Sequence, residues 1–245
     1  MTALAPLPTR RDEAYRYADL AALAALWPVA GEARRVAAGT RESLALVLDD
    51  AAPTVRELAI VLEPGAGFDL ALLNAGGAYG RIAVDVTLGE GARFALGAAQ
   101  VGGEDQVLEI VTEVTHAGRD AQSRQVVRSV LGGRATGSYL GRVAVAKGAD
   151  GTDAAQSVRA MLLSRTATAN ARPELEIHAD DVKCAHGCAV GELDQAALFY
   201  MASRGIPPVE ARRLMLQAFL AEAFVGMPDE ATLNARALAA LEALA

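Results

Sequence analysis

The residues with the most reactive chemistry fall in one stretch, His178-Ala-Asp-Asp-Val-Lys-Cys184-Ala-His186-Gly-Cys188, which holds both cysteines of the chain and two of its three histidines. Thiolate and imidazole are ligands for zinc, Cu(I) or an iron–sulfur species. On a strand, alternate residues share a face. Val182, Cys184, His186, Cys188 and Val190 would then line one side, with Lys183, Ala185, Gly187 and Ala189 on the other. Three ligands in this spacing do not close a tetrahedral site, and the sequence holds no second cysteine–histidine cluster to complete one. The spacing therefore argues against a self-contained structural zinc. Two readings stay open: a site shared with another subunit, or sulfurs that serve as core atoms, which is common for free cysteine.

Residues i and i+4 of a strand lie ~13 Å apart. That is beyond the roughly 7 Å a disulfide spans, so the thiols are expected free, as suits a reducing cytoplasm. A Cys–His nucleophile pair is disfavoured because side chains two apart on a strand point the same way. His116, in the turn-like THAGRD, reads as a solvated loop histidine. Asp180-Asp181 reads as turn capping. Arg124, Arg128 and Arg134 read as solvated surface. There is no GxxxxGK[ST], GxGxxG or GxSxG motif, so nothing points to a P-loop, a dinucleotide fold or a nucleophile elbow.

These residues need a frame to hold them. The chain has 245 residues, 52% hydrophobic but only 4% aromatic, so its core must come from Val, Leu, Ile and Ala. A formal net charge of −7 argues against a nucleic-acid surface. Residues 20–31 (LAALAALWPVAG) are apolar but far short of the ~20 needed to span a bilayer. From about residue 44 to 190, strand-sized apolar or alternating runs such as ELAIVL, RIAVDVTL and QVLEIVTEVT alternate with Gly-rich turns. No proline interrupts the chain between Pro64 and Pro173. This pattern fits a sandwich, a barrel or a parallel β-helix. Residues 9–26 predict a helix with Thr9 as N-cap. Three helices are expected after Gly191: one capped by Asp194, one with Pro208 in its first turn and ended by Gly226, and a last one running to Ala245.

The run PELEIHADDVKCAHG, followed by VGELDQAALFYMASRGI and EARRLMLQAFLAE within residues 173–222, resembles the SufB/SufD family of the SUF iron–sulfur cluster assembly system, on its SufD side. Weaker likeness extends to Thr152–Gln156, Leu162–Ser164, Ala169-Asn170 and the PTRRDEAYRYADL segment at 8–20. The resemblance implies a mainly β fold: a right-handed parallel β-helix at 44–191, a short N-terminal helical segment at 1–43 and a C-terminal helical subdomain at 192–245. It implies a non-enzymatic, cytoplasmic scaffold that pairs with the paralogue SufB through the β-helix. The ATPase SufC would be recruited through C-terminal helices, with Leu214, Leu216, Phe219 and Leu220 as anchors. It implies that Cys184 and His186 lie at the SufB interface and handle iron or a nascent cluster, held transiently and only in the complex, with none in the isolated chain. Whether the chain pairs with itself as a homodimer when SufB is absent stays open, and neither nucleic acid nor membrane is expected as a partner. The family pattern departs at Cys188-Ala189, where it usually has Ala and Thr, so Cys188 inherits no role; Tyr15-Arg-Tyr17-Ala18 also departs from it, and the N-terminal helical part is shorter. The alternatives from other classes are a stand-alone metal-binding β-helix module and a β-helix enzyme, for which no convergent set of acids and bases is visible.

Overall fold

The computed structural model describes residues 6–244; residues 1–5 and Ala245, the outer ends of the predicted N-terminal and C-terminal segments, lie outside the described residues. A short 3-10 turn at Glu13–Tyr15 and helix α1 (Leu20–Leu26) come first. The strands follow as β1 (Glu32–Val36), β2 (Arg41–Leu48), β3 (Thr54–Leu62), β4 (Gly67–Asn74), β5 (Tyr79–Leu88) and β6 (Arg93–Gly102). They continue as β7 (Val107–His116), β8 (Gln122–Leu131), β9 (Thr136–Val145), β10 (Asp153–Leu162), β11 (Thr168–Ile177) and β12 (Lys183–Gly191). Helices α2 (Gln195–Ser203), α3 (Pro208–Ala221) and α4 (Glu230–Glu242) complete the chain.

Among the described residues, odd strands form one parallel sheet in the order β1-β3-β5-β7-β9-β11, and even strands form a second in the order β12-β10-β8-β6-β4-β2. This is a parallel β-helix with two strands in each coil. A coil takes 26 residues near the start, from Arg41 to its register partner Gly67, and 30 at the end, from Asp153 to Lys183. The turns stack as well: Gly39 N–H donates to Pro64 O at 3.0 Å, and Gly65 N–H to Glu90 O at 2.7 Å. Gly39 and Gly65 hold φ of 68° and 70°, a left-handed backbone that side chains with a Cβ resist.

In-register stacking puts like residues in interior columns. One runs Leu62, Leu88, His116, Val145; another begins Phe68, Phe94, Ser123, Ala154. Burying such columns supplies the stability that an aromatic-poor chain needs. The outer face of the even sheet is apolar in its C-terminal half, where Ala71, Leu73, Ala99, Val101 and Val130 pack against Leu216, Leu220, Phe224, Leu233 and Leu241 of the C-terminal helical region. At Gly97 the sheet closely approaches the turn after α3, since a Cβ there would lie 2.0 Å from Ala223 O. Among the described residues no helix is long and apolar enough to cross a membrane.

Several expectations change. The predicted helix at 9–26 is split, because the Asp19 carboxylate accepts from the N–H groups of Ala21 and Ala22 and starts a new helix there. Thr9 instead closes a turn with Asp12, its N–H donating to Asp12 Oδ2 at 2.7 Å. The first strands, β1 and β2, begin ahead of residue 44. His116 is not a solvated loop residue: it ends β7, is fully buried, and shares a 2.8 Å hydrogen bond with Ser123 Oγ. Arg128 is buried rather than surface, while Arg124 and Arg134 are exposed as expected.

Candidate interface and metal-ligand site

The Cys–His stretch is β12, the last strand of the last coil. Each of its inward residues ends an interior column. Cys184 follows Phe68, Phe94, Ser123 and Ala154; His186 follows Leu44, Leu70, Leu96, Gln125 and Gln156; Cys188 follows Leu72, Ala98, Val127 and Val158. The strand is thus where the sequence pattern put it, with Cys184, His186 and Cys188 on one face. That face is the floor of a coil on which no further coil stacks. Cys184 is half-buried and packs against the main core. His186 and Cys188 are exposed. The core reading of the sulfurs therefore holds in part for Cys184 and fails for Cys188.

Both thiols are free. Burial pushes the Cys184 thiol up, while a hydrogen bond with the Ala154 backbone opposes the shift. Burial also raises Cys188, whose Sγ lies 3.7 Å from Ala171 O. His178 stands apart on the exposed connection before β12, with Nε2 2.9 Å from Glu176 Oε1. Asp180 and Asp181 are exposed, and the Asp181 carbonyl accepts from Gly151 N–H at 2.7 Å, which keeps this pair in the turn stack. Among the described residues, no three His, Cys, Asp or Glu side chains gather closely enough to hold a metal ion. Cys184 and His186 are a partial ligand set on an open face.

The strand itself is also open. Among the described residues, β12 pairs only with β10 and β11 only with β9, so both present a row of N–H and C=O groups along their outer edges. A Cβ built at Gly187 or Gly191 would meet nothing within 4 Å. Edges of this kind template pairing with another chain.

The four predicted helix anchors divide. Leu216 and Leu220 are 6% and 1% exposed and are used in packing against the even sheet, so neither offers a surface. Phe219 is half-buried with the Arg128 guanidinium 5.9 Å from its ring centre, and Leu214 is exposed. Sequence reasoning passed over α2, which has no buried residue and exposes Phe199 (77%) and Tyr200 (59%). The signal was present: LFYM offers apolar residues in a row, without the spacing that would bury a single face. Sequence reasoning also missed a polar group inside the last coils. Tyr139 OH donates to Gln125 Oε1 at 3.1 Å, and Gln156 Nε2 donates to Tyr139 OH and Gly141 O, each at 3.2 Å. Burial pushes the Tyr139 hydroxyl up to about 12, so it stays protonated there.

Comparison with known proteins gives a matching family model, described as "SUF system FeS cluster assembly, SufBD core domain", over residues 44–219. The chain is 33% identical to the iron–sulfur cluster assembly protein SufD of Escherichia coli over 127 residues, 52% of this chain and 30% of that one. It is 34% identical to the SufD of Bacillus subtilis over 130 residues, 53% of this chain and 30% of that one. It is also 33% identical to the chloroplastic protein ABCI7 of Arabidopsis thaliana over 171 residues, 68% of this chain and 36% of that one. The matched stretch thus spans about a third of the length of these relatives.

Proposed function

We propose a scaffold role in iron–sulfur cluster assembly, from a plain premise: the chain belongs to the SufBD core family of the SUF system. The observation that carries the proposal is the unpaired edge of the terminal coil, which bears Cys184 and His186 on its open floor. A partner β-helix, the SufB paralogue, adds its own terminal strand to this edge through main-chain hydrogen bonds. When SufB is absent, a second copy of this chain takes that place. Pairing closes the open floor and brings the partner's ligands over Cys184 and His186. A thiolate and a neutral imidazole are competent for iron. Two ligands alone hold it weakly, so iron or a nascent cluster is cargo of the paired state. The thiol must lose its proton to ligate, and the raised Cys184 thiol makes that step dependent on a cation arriving beside it. Free thiols suit a reducing compartment such as the cytoplasm.

The chain performs no catalysis of its own in this reading. The ATPase SufC docks on the helical region, through the exposed Phe199 and Tyr200 of α2 and Leu214 of α3. Leu216 and Leu220 hold α3 on the β-helix from inside.

The test is reconstitution with SufB and SufC. Cys184→Ala and His186→Ala should impair cluster formation while the fold and SufC binding persist. Failure of the tagged chain to bring down either partner from its host would overturn the proposal. Tight stoichiometric Fe(II) binding by the lone chain would instead favour a self-contained metal module.

A further inference from the structure

The interior column that ends at His186 changes character along the β-helix. Its first three members are Leu44, Leu70 and Leu96; its last three are Gln125, Gln156 and His186. Buried amides in a leucine column are costly unless each polar atom is paired. Gln156 is 3% exposed and only half satisfied. Its Nε2 donates to Gly141 O and to Tyr139 OH, each at 3.2 Å. A carbonyl oxygen can only accept, so these bonds fix which end of the amide faces β9. Its Oε1 is buried with no partner. The next residue of the column is the exposed His186, one strand away at about 4.8 Å.

We propose that Gln156 is a positioning residue for His186: its Oε1 accepts the N–H of one imidazole nitrogen and leaves the other, unprotonated, facing the open floor. Metal-ligating histidines commonly donate their second nitrogen to such an oxygen, which sets tautomer and ring orientation. The Tyr139–Gln125–Thr112 group serves as the anchor, since it holds Gln156 in place from the far side. The structure leaves this oxygen unpartnered, and the bond is what we propose for the lone chain in solution; its consequence for iron rests on the interface reading above. Gln125 Nε2, also buried without a partner, is the rival donor for the same oxygen.

Imidazole 15N NMR of the metal-free chain tests the bond, with His186 assigned by its loss in His186→Gln. At a pH where the ring is neutral, the wild-type protein should show one tautomer at His186. Gln156→Leu should return His186 to the mixed tautomers of a free imidazole, and so should Gln156→Met, which keeps the length of the side chain and removes the acceptor. Mixed tautomers in the wild-type chain would overturn the proposal and give the oxygen to Gln125. So would an unchanged tautomer in a folded Gln156→Leu protein. If neither variant folds, the wild-type spectrum still decides. In the paired complex, Gln156→Leu should weaken Fe(II) binding by roughly 10- to 100-fold. A locked tautomer in the wild-type chain, together with normal cluster assembly by His186→Ala, would keep the positioning bond and remove the iron reading.

Discussion

Arg128 Nε donates to Glu222 Oε2 at 2.9 Å, joining β8 to the residue that caps the end of α3. The same guanidinium donates to Ser157 O and Val127 O, each at 2.9 Å, so it is held by the sheet before it reaches the helix. Arg128 is buried and Glu222 half-exposed. Removing each partner should therefore have unequal effects. Arg128→Ala removes the packing under Phe219 and the hydrogen bonds by which the guanidinium ties β8, β10 and Glu222 together, and should cost about 3 kcal/mol. Glu222→Gln keeps a neutral acceptor on the wet side and should cost about 1 kcal/mol or less. Urea unfolding measures both, and hydrogen exchange should show α3 loosening first in Arg128→Ala. Equal effects of the two changes would mean that the charge pair, not the buried guanidinium, holds the helix.

Gly97 is the second fixed point between helices and sheet. An added Cβ would meet Ala223 O at 2.0 Å and Met227 Cγ at 2.6 Å. Methionine can move aside, but the Ala223 backbone, in the turn that follows α3, cannot without shifting that segment. Gly97→Ala should destabilise by about 2 kcal/mol, an overpacking cost. For a chain of this size that is a fall in Tm of about 4–8 °C. Gly187→Ala, on the open strand, meets nothing within 4 Å and should leave the isolated chain's Tm unchanged. Any effect of that change on pairing with a partner would then be an effect on the interface alone.

His116 should make the β-helix sensitive to mild acid. Burial holds its pKa down at about 4, against the ordinary imidazole value near 6.5, with a hydrogen bond to the Ala121 backbone opposing the shift in part. Between these values the unfolded chain binds a proton that the folded chain refuses. The stabilisation is thus full above about pH 6.5 and is lost as pH falls toward 4. Between pH 7 and pH 5 the loss should be about 2 kcal/mol. His116→Leu matches Leu62 and Leu88 of the same column and should flatten that part of the pH–stability curve. Parallel curves for the two proteins from pH 7 to 5 would show that His116 is not the titrating group.

His116 also shows where sequence pattern stops. THAGRD reads as a turn, and the turn is real, but it begins one residue after the histidine. A parallel coil carries an interior column to the end of each strand, and only the register with Leu88 and Val145 reveals that His116 is in one. The strand positions and the shared face of Cys184, His186 and Cys188 were legible, because period-2 alternation is local. Which face was interior, and that the last coil leaves it open, depended on the number and order of coils. Arg128 was misread for the same reason: nothing local says that a helix about 90 residues later will cover that arginine. The buried glutamines were invisible because a polar residue on an inward position breaks the alternation on which the reading depends.

Thiol protection tests the open floor directly. In the lone chain, Cys188 is exposed and Cys184 is half-buried against the core, and both thiols are raised. The thiolate is the reactive species, so a maleimide at neutral pH should label both slowly, Cys188 ahead of Cys184. Addition of SufB, the proposed partner, should shield both residues, because the proposed pairing along β12 covers the floor as well as the edge. Shielding should persist in Cys188→Ala, read at Cys184, since that variant removes no backbone donor from the edge. Label uptake at Cys184 that is unchanged by a bound partner would place the contact elsewhere on the β-helix. The cluster site would then have to be sought away from β12.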